Sequence, residues 1–289
     1  MLSKLFKYIK NDLFFIFAAH LSLLAGSVLA GFRSGGFNRL NLILGIGTIL
    51  LAFLLKALLD YLTTNKINPY TKINLSRQDN KSGLILLTVF LFMALFFILY
   101  LLLRQKILIG VNLFYIIAIF ALFFLPVTVV GKVFVRKYDL FLEAIVVSPL
   151  FFLFGMGLQH ENPVLYDFLM ALPLFFCYMA TAIAYNISDI EKGSALHETG
   201  MIGQLGWENA FKLHNFSILL TYIPLFLYQI LTKTFALYWP VLISCVIALF
   251  EIFLLSRISL GVKPNWNFIR MTALLHYFTI IYMLIYPMI

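Results

Sequence analysis

Asn186, Asp189 and Glu191 place one amide and two carboxylates where a long apolar run gives way to the polar stretch Asn186-Ile187-Ser188-Asp189-Ile190-Glu191-Lys192-Gly193. Hard oxygen ligands grouped this way suit Mg²⁺, which keeps several of its waters and is held by one or two carboxylates while it bridges substrate phosphates. The spacing sets a condition: Asn186 and Asp189, at i and i+3, share a face only if the helix carrying the apolar run continues for another turn. The plainer alternative is a set of solvated polar groups ending a helix.

A second acid, Asp60, closes another apolar run and is followed by Tyr61, with Lys56 four residues before it. Lys56 and Asp60 form an i, i+4 pair at a helix end, or the ammonium faces a diphosphate. Lys66, Lys72, Arg77 and Lys81 follow as a basic rim that would attract anions. Glu143, Asp167 and Glu251 lie in apolar runs, where burying an acid unpaired costs several kcal/mol. Each is therefore a functional candidate or a paired structural group. No His-x₃-His spacing occurs, so no zinc site is expected, and Cys177 and Cys245 read as small packing residues.

These residues need elements to hold them. The 289-residue chain is 63% hydrophobic and 11% charged, with a mean hydropathy of +0.99, values outside the range of soluble domains. Apolar runs without strand alternation must satisfy their backbone as helices in lipid, which gives an all-α membrane protein. A bilayer core needs about 20 apolar residues per helix. Nine spans are expected in one domain covering 1–289: 13–31, 40–60, 84–103, 107–130, 140–158, 164–186, 215–232, 237–256 and 268–288. The first run is too long for a signal-peptide core and reads as an uncleaved helix. Gly45, Gly47, Gly155 and Gly157 read as sites of close helix crossing.

With the N-terminus inside, sixteen of the 21 basic residues gather on one side and only Arg33, Arg39, Arg104, Lys106 and Lys233 on the other. The +9 charge is then that of cytoplasmic loops, not of a nucleic-acid binder, and the C-terminus lies outside. The long polar connections 61–83 and 187–214 both fall on the cytoplasmic side, so the chemistry faces the cytoplasm, in a bacterial or archaeal cytoplasmic membrane.

Nine spans with acids where helices 2 and 6 meet the cytoplasm resemble the UbiA superfamily of intramembrane prenyltransferases. Asn186-Ile187-Ser188-Asp189-Ile190-Glu191 is similar to the Asn-x-x-Asp-x-Glu of that family's second motif, and Gln204-Leu205-Gly206 stands where the family has Arg-Leu-Gly. Lys56-Ala57-Leu58-Leu59-Asp60-Tyr61 resembles the first motif with one carboxylate left. Lys137-Tyr138, Glu143 and Ser148-Pro149-Leu150 are similar to the start of helix 5 in the branch that prenylates dihydroxynaphthoate. The departures are Lys56 for Asn, Thr64, Gly193 for the last Asp, and His197-Glu198-Thr199-Gly200 for Gly-Lys-Arg-Thr.

The resemblance implies transfer of a polyprenyl group from its diphosphate to an aromatic, quinone-precursor or other lipophilic acceptor. Asp60 would hold one Mg²⁺, and Asn186, Asp189 and Glu191 a second. Lys56, Lys137 and Lys192 would contact the diphosphate, while Tyr61, Tyr138, Tyr185 and Glu143 would face the cation or the acceptor. With so few carboxylates, one metal is easier to hold than two. The alternatives are a catalytically degenerate relative that binds polyprenyl lipid or a partner membrane enzyme and, last, a small-solute transporter, which would place acids near mid-bilayer.

Overall fold

The computed structural model describes residues 13–64, 79–125, 138–160, 163–191, 200–234 and 239–286. Nine helices run through them: α1 Leu13–Ser34, α2 Arg39–Thr64, α3 Asp79–Arg104, α4 Val111–Phe124, α5 Tyr138–Leu158, α6 Leu165–Glu191, α7 Met201–Thr232, α8 Trp239–Ser259 and α9 Trp266–Ile285. Eight are long and apolar enough to cross a membrane; α4 is the shorter one, with 14 residues. The expected fourth span covers 107–130, and its last five residues lie outside the described ones. No strand occurs among the described residues.

Helices in lipid gain nothing from burying apolar surface against one another, so close backbone approach and polar contacts must hold them together. The α1–α5 pair meets this requirement with glycines. A Cβ on Gly26 would overlap the Phe152 carbonyl, a Cβ on Gly155 would overlap the Leu23 carbonyl, and Ser27 Oγ donates to the Gly155 carbonyl at 2.9 Å. Gly45 is covered by the Leu158 side chain and Gly157 by Asn112, so three of the four expected glycines sit at crossings with α5, while Gly47 faces Ile98 of α3. Because the obstacle at Gly155 is backbone rather than a flexible side-chain tip, Gly155→Ala should destabilise the protein by about 1–3 kcal/mol, as overpacked cores do. Thermal unfolding in detergent checks this, with Gly83→Ala, where a Cβ meets nothing within 4 Å, as the neutral control.

The core lies where α1, α5 and α6 meet, around the fully buried Leu23, Phe152, Phe154, Met156 and Tyr178. Helix α3 is peripheral: Leu84, Leu91 and Leu95 pack on Leu55 and Leu58 of α2, and Phe90, Met93, Phe96 and Phe97 are left exposed, as on a lipid-facing helix. In α5, Pro149 cannot donate an intrahelical hydrogen bond, and the helix passes through a π turn at Val146–Leu150. Ser148 Oγ there donates to the Leu174 carbonyl of α6 at 3.0 Å.

One boundary departs clearly from the sequence expectation. The segment 187–214 reads as a loop, with a span beginning at 215, but α6 runs on to Glu191 and α7 already begins at Met201. Residues 201–214 are amphipathic. Ile202, Ala210 and His214 are buried and Trp207 packs on Phe211 and Trp266, while the exposed Glu208 and Lys212 pair at i, i+4 over 2.7 Å. Hydropathy alone treats such a polar-faced extension as loop. Gly206, at φ 71° and ψ 174°, breaks the helix after its first turn, a conformation that favours glycine. Asp139 Oδ1 accepts from the Leu140 and Met201 amides at 2.7 and 3.0 Å, which ties the start of α7 to the start of α5.

Candidate functional site

Two adjacent rings on α1 join the helices that carry the expected motifs. Phe14 stacks on Tyr178 at 5.2 Å and on Tyr185 at 5.7 Å, two α6 residues separated by seven positions and hence on one face. Phe15 meets Phe53 of α2 at 4.8 Å and Phe123 of α4 at 6.0 Å, and those two rings meet each other edge-on at 4.7 Å. The Lys56 ammonium sits 5.5 Å from the Phe15 ring and 5.2 Å from the Phe123 ring, so α2 contributes a half-buried cation lying on aromatic faces.

On the α6 side, the fully buried Tyr178 donates its hydroxyl hydrogen to Glu143 Oε1 of α5 at 2.7 Å. From α9, Arg270 Nε donates to the Tyr185 carbonyl at 2.9 Å, and its guanidinium lies 4.9 Å over the Tyr185 ring. Six helices, α1, α2, α4, α5, α6 and α9, thus bring Lys56, Glu143, Tyr178, Tyr185 and Arg270 around one set of rings. The place combines two cationic side chains and a carboxylate with aromatic faces.

Of the residues expected from the sequence, Lys56, Glu143 and Tyr185 belong to this assembly. Asn186 is half-buried next to Tyr185, and Tyr138 opens α5 exposed. Asp60 and Tyr61 fall in the last turns of α2, and Asp189 and Glu191 in the last turn of α6, while the side chains of all four lie outside the described residues. Lys137 and Lys192 lie outside them altogether. The continuation of α6 to Glu191 supplies the extra helical turn that the Asn186–Asp189 spacing requires. Among the described residues no group of three His, Cys, Asp or Glu side chains is arranged to hold a metal ion.

Tyr178 and Arg270 were not singled out by the sequence. Tyr178 had a signal in its seven-residue spacing from Tyr185, and Arg270 in being a guanidinium inside an apolar run.

The remaining acids in the spans are paired. Asp167, fully buried, forms an ion pair with Arg33 at 2.5 Å and accepts from the Val164 amide at 2.7 Å. Glu251, also fully buried, accepts from His214 Nε2 at 2.8 Å and from His276 Nδ1 at 3.1 Å. The second nitrogen of His276 lies 3.0 Å from the Tyr222 hydroxyl, which is 2.9 Å from Ser244 Oγ. This network binds α7, α8 and α9 to one another.

No family model and no curated protein sequence matches the chain. Among solved structures, a digeranylgeranylglyceryl phosphate synthase, described as acting in membranes, is similar over 99% of both chains with a TM-score of 0.65 at 13% sequence identity. The chain has that enzyme's fold.

Proposed function

We propose that the chain is a UbiA-type, Mg²⁺-dependent intramembrane prenyltransferase that moves a polyprenyl group from its diphosphate to a lipophilic acceptor, an aromatic or quinone-precursor nucleus among the candidates. The carrying observation is the convergence of Lys56, Glu143, Tyr178, Tyr185 and Arg270 on a phenylalanine-lined end of a bundle with a prenyltransferase's fold. The oxygen donors of Asp60, Asn186, Asp189 and Glu191 suit Mg²⁺, which when bound would neutralise the diphosphate and favour ionisation of the allylic C–O bond.

The chain's own residues supply the rest. Lys56, with Lys137 and Lys192, attracts and orients the diphosphate, while the Phe14, Phe15 and Phe123 faces line the path of the apolar chain and stabilise developing positive charge, each face by roughly 0.5–2 kcal/mol. Glu143, oriented by the Tyr178 hydroxyl, is the carboxylate available to take the proton that the acceptor sheds. The positive-inside distribution supports a site that opens to the cytoplasm, with the N-terminus on that side.

Lysine at position 56, where the first motif has an amide, favours a second reading: a relative that binds polyprenyl lipid without turnover. One titration separates the two. Purified protein in lipid nanodiscs should retain a radiolabelled prenyl diphosphate in Mg²⁺, release it on chelation and regain it on Mg²⁺ return. Failure to bind in Mg²⁺ overturns the proposal, and lipid retention indifferent to chelator supports the second reading.

A further inference from the structure

The guanidinium of Arg270 meets the turn of α6 that carries the candidate metal ligands, although it comes from the far end of the chain. An arginine within an apolar helix is costly unless its donors are used, and this one is half-buried in the first turns of α9. Its Nε–H is directed at the Tyr185 carbonyl at 2.9 Å, one residue before Asn186 and one helical turn before Asp189. Its flat face covers the Tyr185 ring at 4.9 Å, and the Tyr185 ring also stacks with Phe14 at 5.7 Å. Phe14, Tyr185 and Arg270 therefore form one contiguous contact, with a fixed positive charge at its α9 end.

A lysine could supply that charge but not the same contact. The planar guanidinium stacks on a ring while donating along its edge, whereas an ammonium is a compact point charge on a flexible stem.

We infer that Arg270 is a positioning residue for the diphosphate of the donor: it holds the last turn of α6, with Tyr185 and Asn186, in register and places a permanent cation beside it. This inference rests on the prenyltransferase reading and adds to it a residue of α9, outside both motif regions. It also gives a basic group to a chain whose His197-Glu198-Thr199-Gly200 lacks the basic residues of the resembling family.

The test compares two probes on the purified full chain in nanodiscs with Mg²⁺: radiolabelled farnesyl diphosphate and radiolabelled farnesol, which has the same chain without the charge. Arg270→Gln and Arg270→Lys should each weaken farnesyl diphosphate binding by about 10- to 100-fold, the range for losing a hydrogen bond to a charged group, with Lys the milder. Farnesol binding should stay within about twofold of wild type, a change worth less than a single weak contact. Tyr185→Leu, which removes the ring and keeps the carbonyl, should fall between wild type and Arg270→Gln.

Equal weakening of both probes would reduce Arg270 to a structural strut and overturn the inference, as would unchanged diphosphate affinity in both Arg270 variants. If Arg270→Gln does not fold, Arg270→Lys and Tyr185→Leu decide by the same ratio of the two affinities. Wild-type protein that fails to bind farnesyl diphosphate in Mg²⁺ would instead sink the prenyltransferase reading, an outcome distinct from either of these.

Discussion

Asp189→Ala should abolish Mg²⁺-dependent retention of a prenyl diphosphate and lower any prenyl transfer by at least about 10²-fold, the usual effect of losing one preorganised charge-stabilising group. The size follows from how few ligands the chain has. In the resembling family the second motif ends in a further acid, but here that position is Gly193, and the first motif keeps Asp60 alone. A site with surplus carboxylates can lose one and rebind its metal; the proposed set of Asp60, Asn186, Asp189 and Glu191 would have no such reserve.

Asp60→Ala should act in the same direction but less strongly if one ion is held mainly on the α6 side, and equally if two ions are held. Radiolabelled diphosphate binding against Mg²⁺ concentration separates these cases, because loss of a ligand raises the Mg²⁺ requirement before it lowers saturation binding. Glu208→Ala is the control, an exposed acid whose i, i+4 pair with Lys212 is screened by solvent. Retention of Mg²⁺-dependent binding in Asp189→Ala would end the assignment of this residue to the site.

The parts of the molecule that could be read from the sequence are those in which a local signal coincides with a physical necessity. Apolar runs long enough to cross a bilayer must be helical, so a helix stands in each expected run, and eight of the nine are long enough to span among the described residues. Helix α7 begins ahead of its run, at Met201, because Trp207 and Phe211 cover one face of a stretch whose other face carries Glu208 and Lys212. The Trp207 face is covered by contact with Trp266, which a hydropathy window cannot register.

The site divides the same way. Lys56, Asn186 and Glu143 are visible because polar groups at the edge of an apolar run are rare and costly. Tyr178 is one of 15 tyrosines, and its role appears only when Glu143 lies 2.7 Å from its hydroxyl. Helix α6 explains why both faces matter: Tyr178 and Tyr185 look toward the rings. Ala180 and Ala184 on its other side pack against Ala248 of α8 and Ala273 of α9, and Thr181 Oγ1 donates to the Ala273 carbonyl at 3.3 Å. Small residues allow α7, α8 and α9 to approach closely behind the motif helix, and that approach lets Arg270 reach Tyr185.

Behind the same helix, Glu251→Ala should destabilise the protein by about 3–5 kcal/mol, the usual cost of removing one partner from a buried charged network. The carboxylate is fully buried and is the acceptor for His214 Nε2 of α7 and His276 Nδ1 of α9, so one residue of α8 closes the contact among three helices. Two magnitudes compete in this forecast. Interhelical hydrogen bonds in membranes average only about 0.6 kcal/mol by double-mutant cycle, so two of them would sum to little more than 1 kcal/mol. The larger figure applies because alanine deletes the shared acceptor, stranding both imidazole donors beside an empty volume with no water to serve them.

Glu251→Gln should fall between wild type and alanine, since its one carbonyl oxygen can serve one imidazole while its NH₂ opposes the other. Unfolding by denaturing detergent, monitored by circular dichroism, gives the ranking. A loss below about 1 kcal/mol in Glu251→Ala would mean that the three helices are held by the packing of Ala180, Ala184, Ala248 and Ala273. The polar network would then be a passenger on that packing.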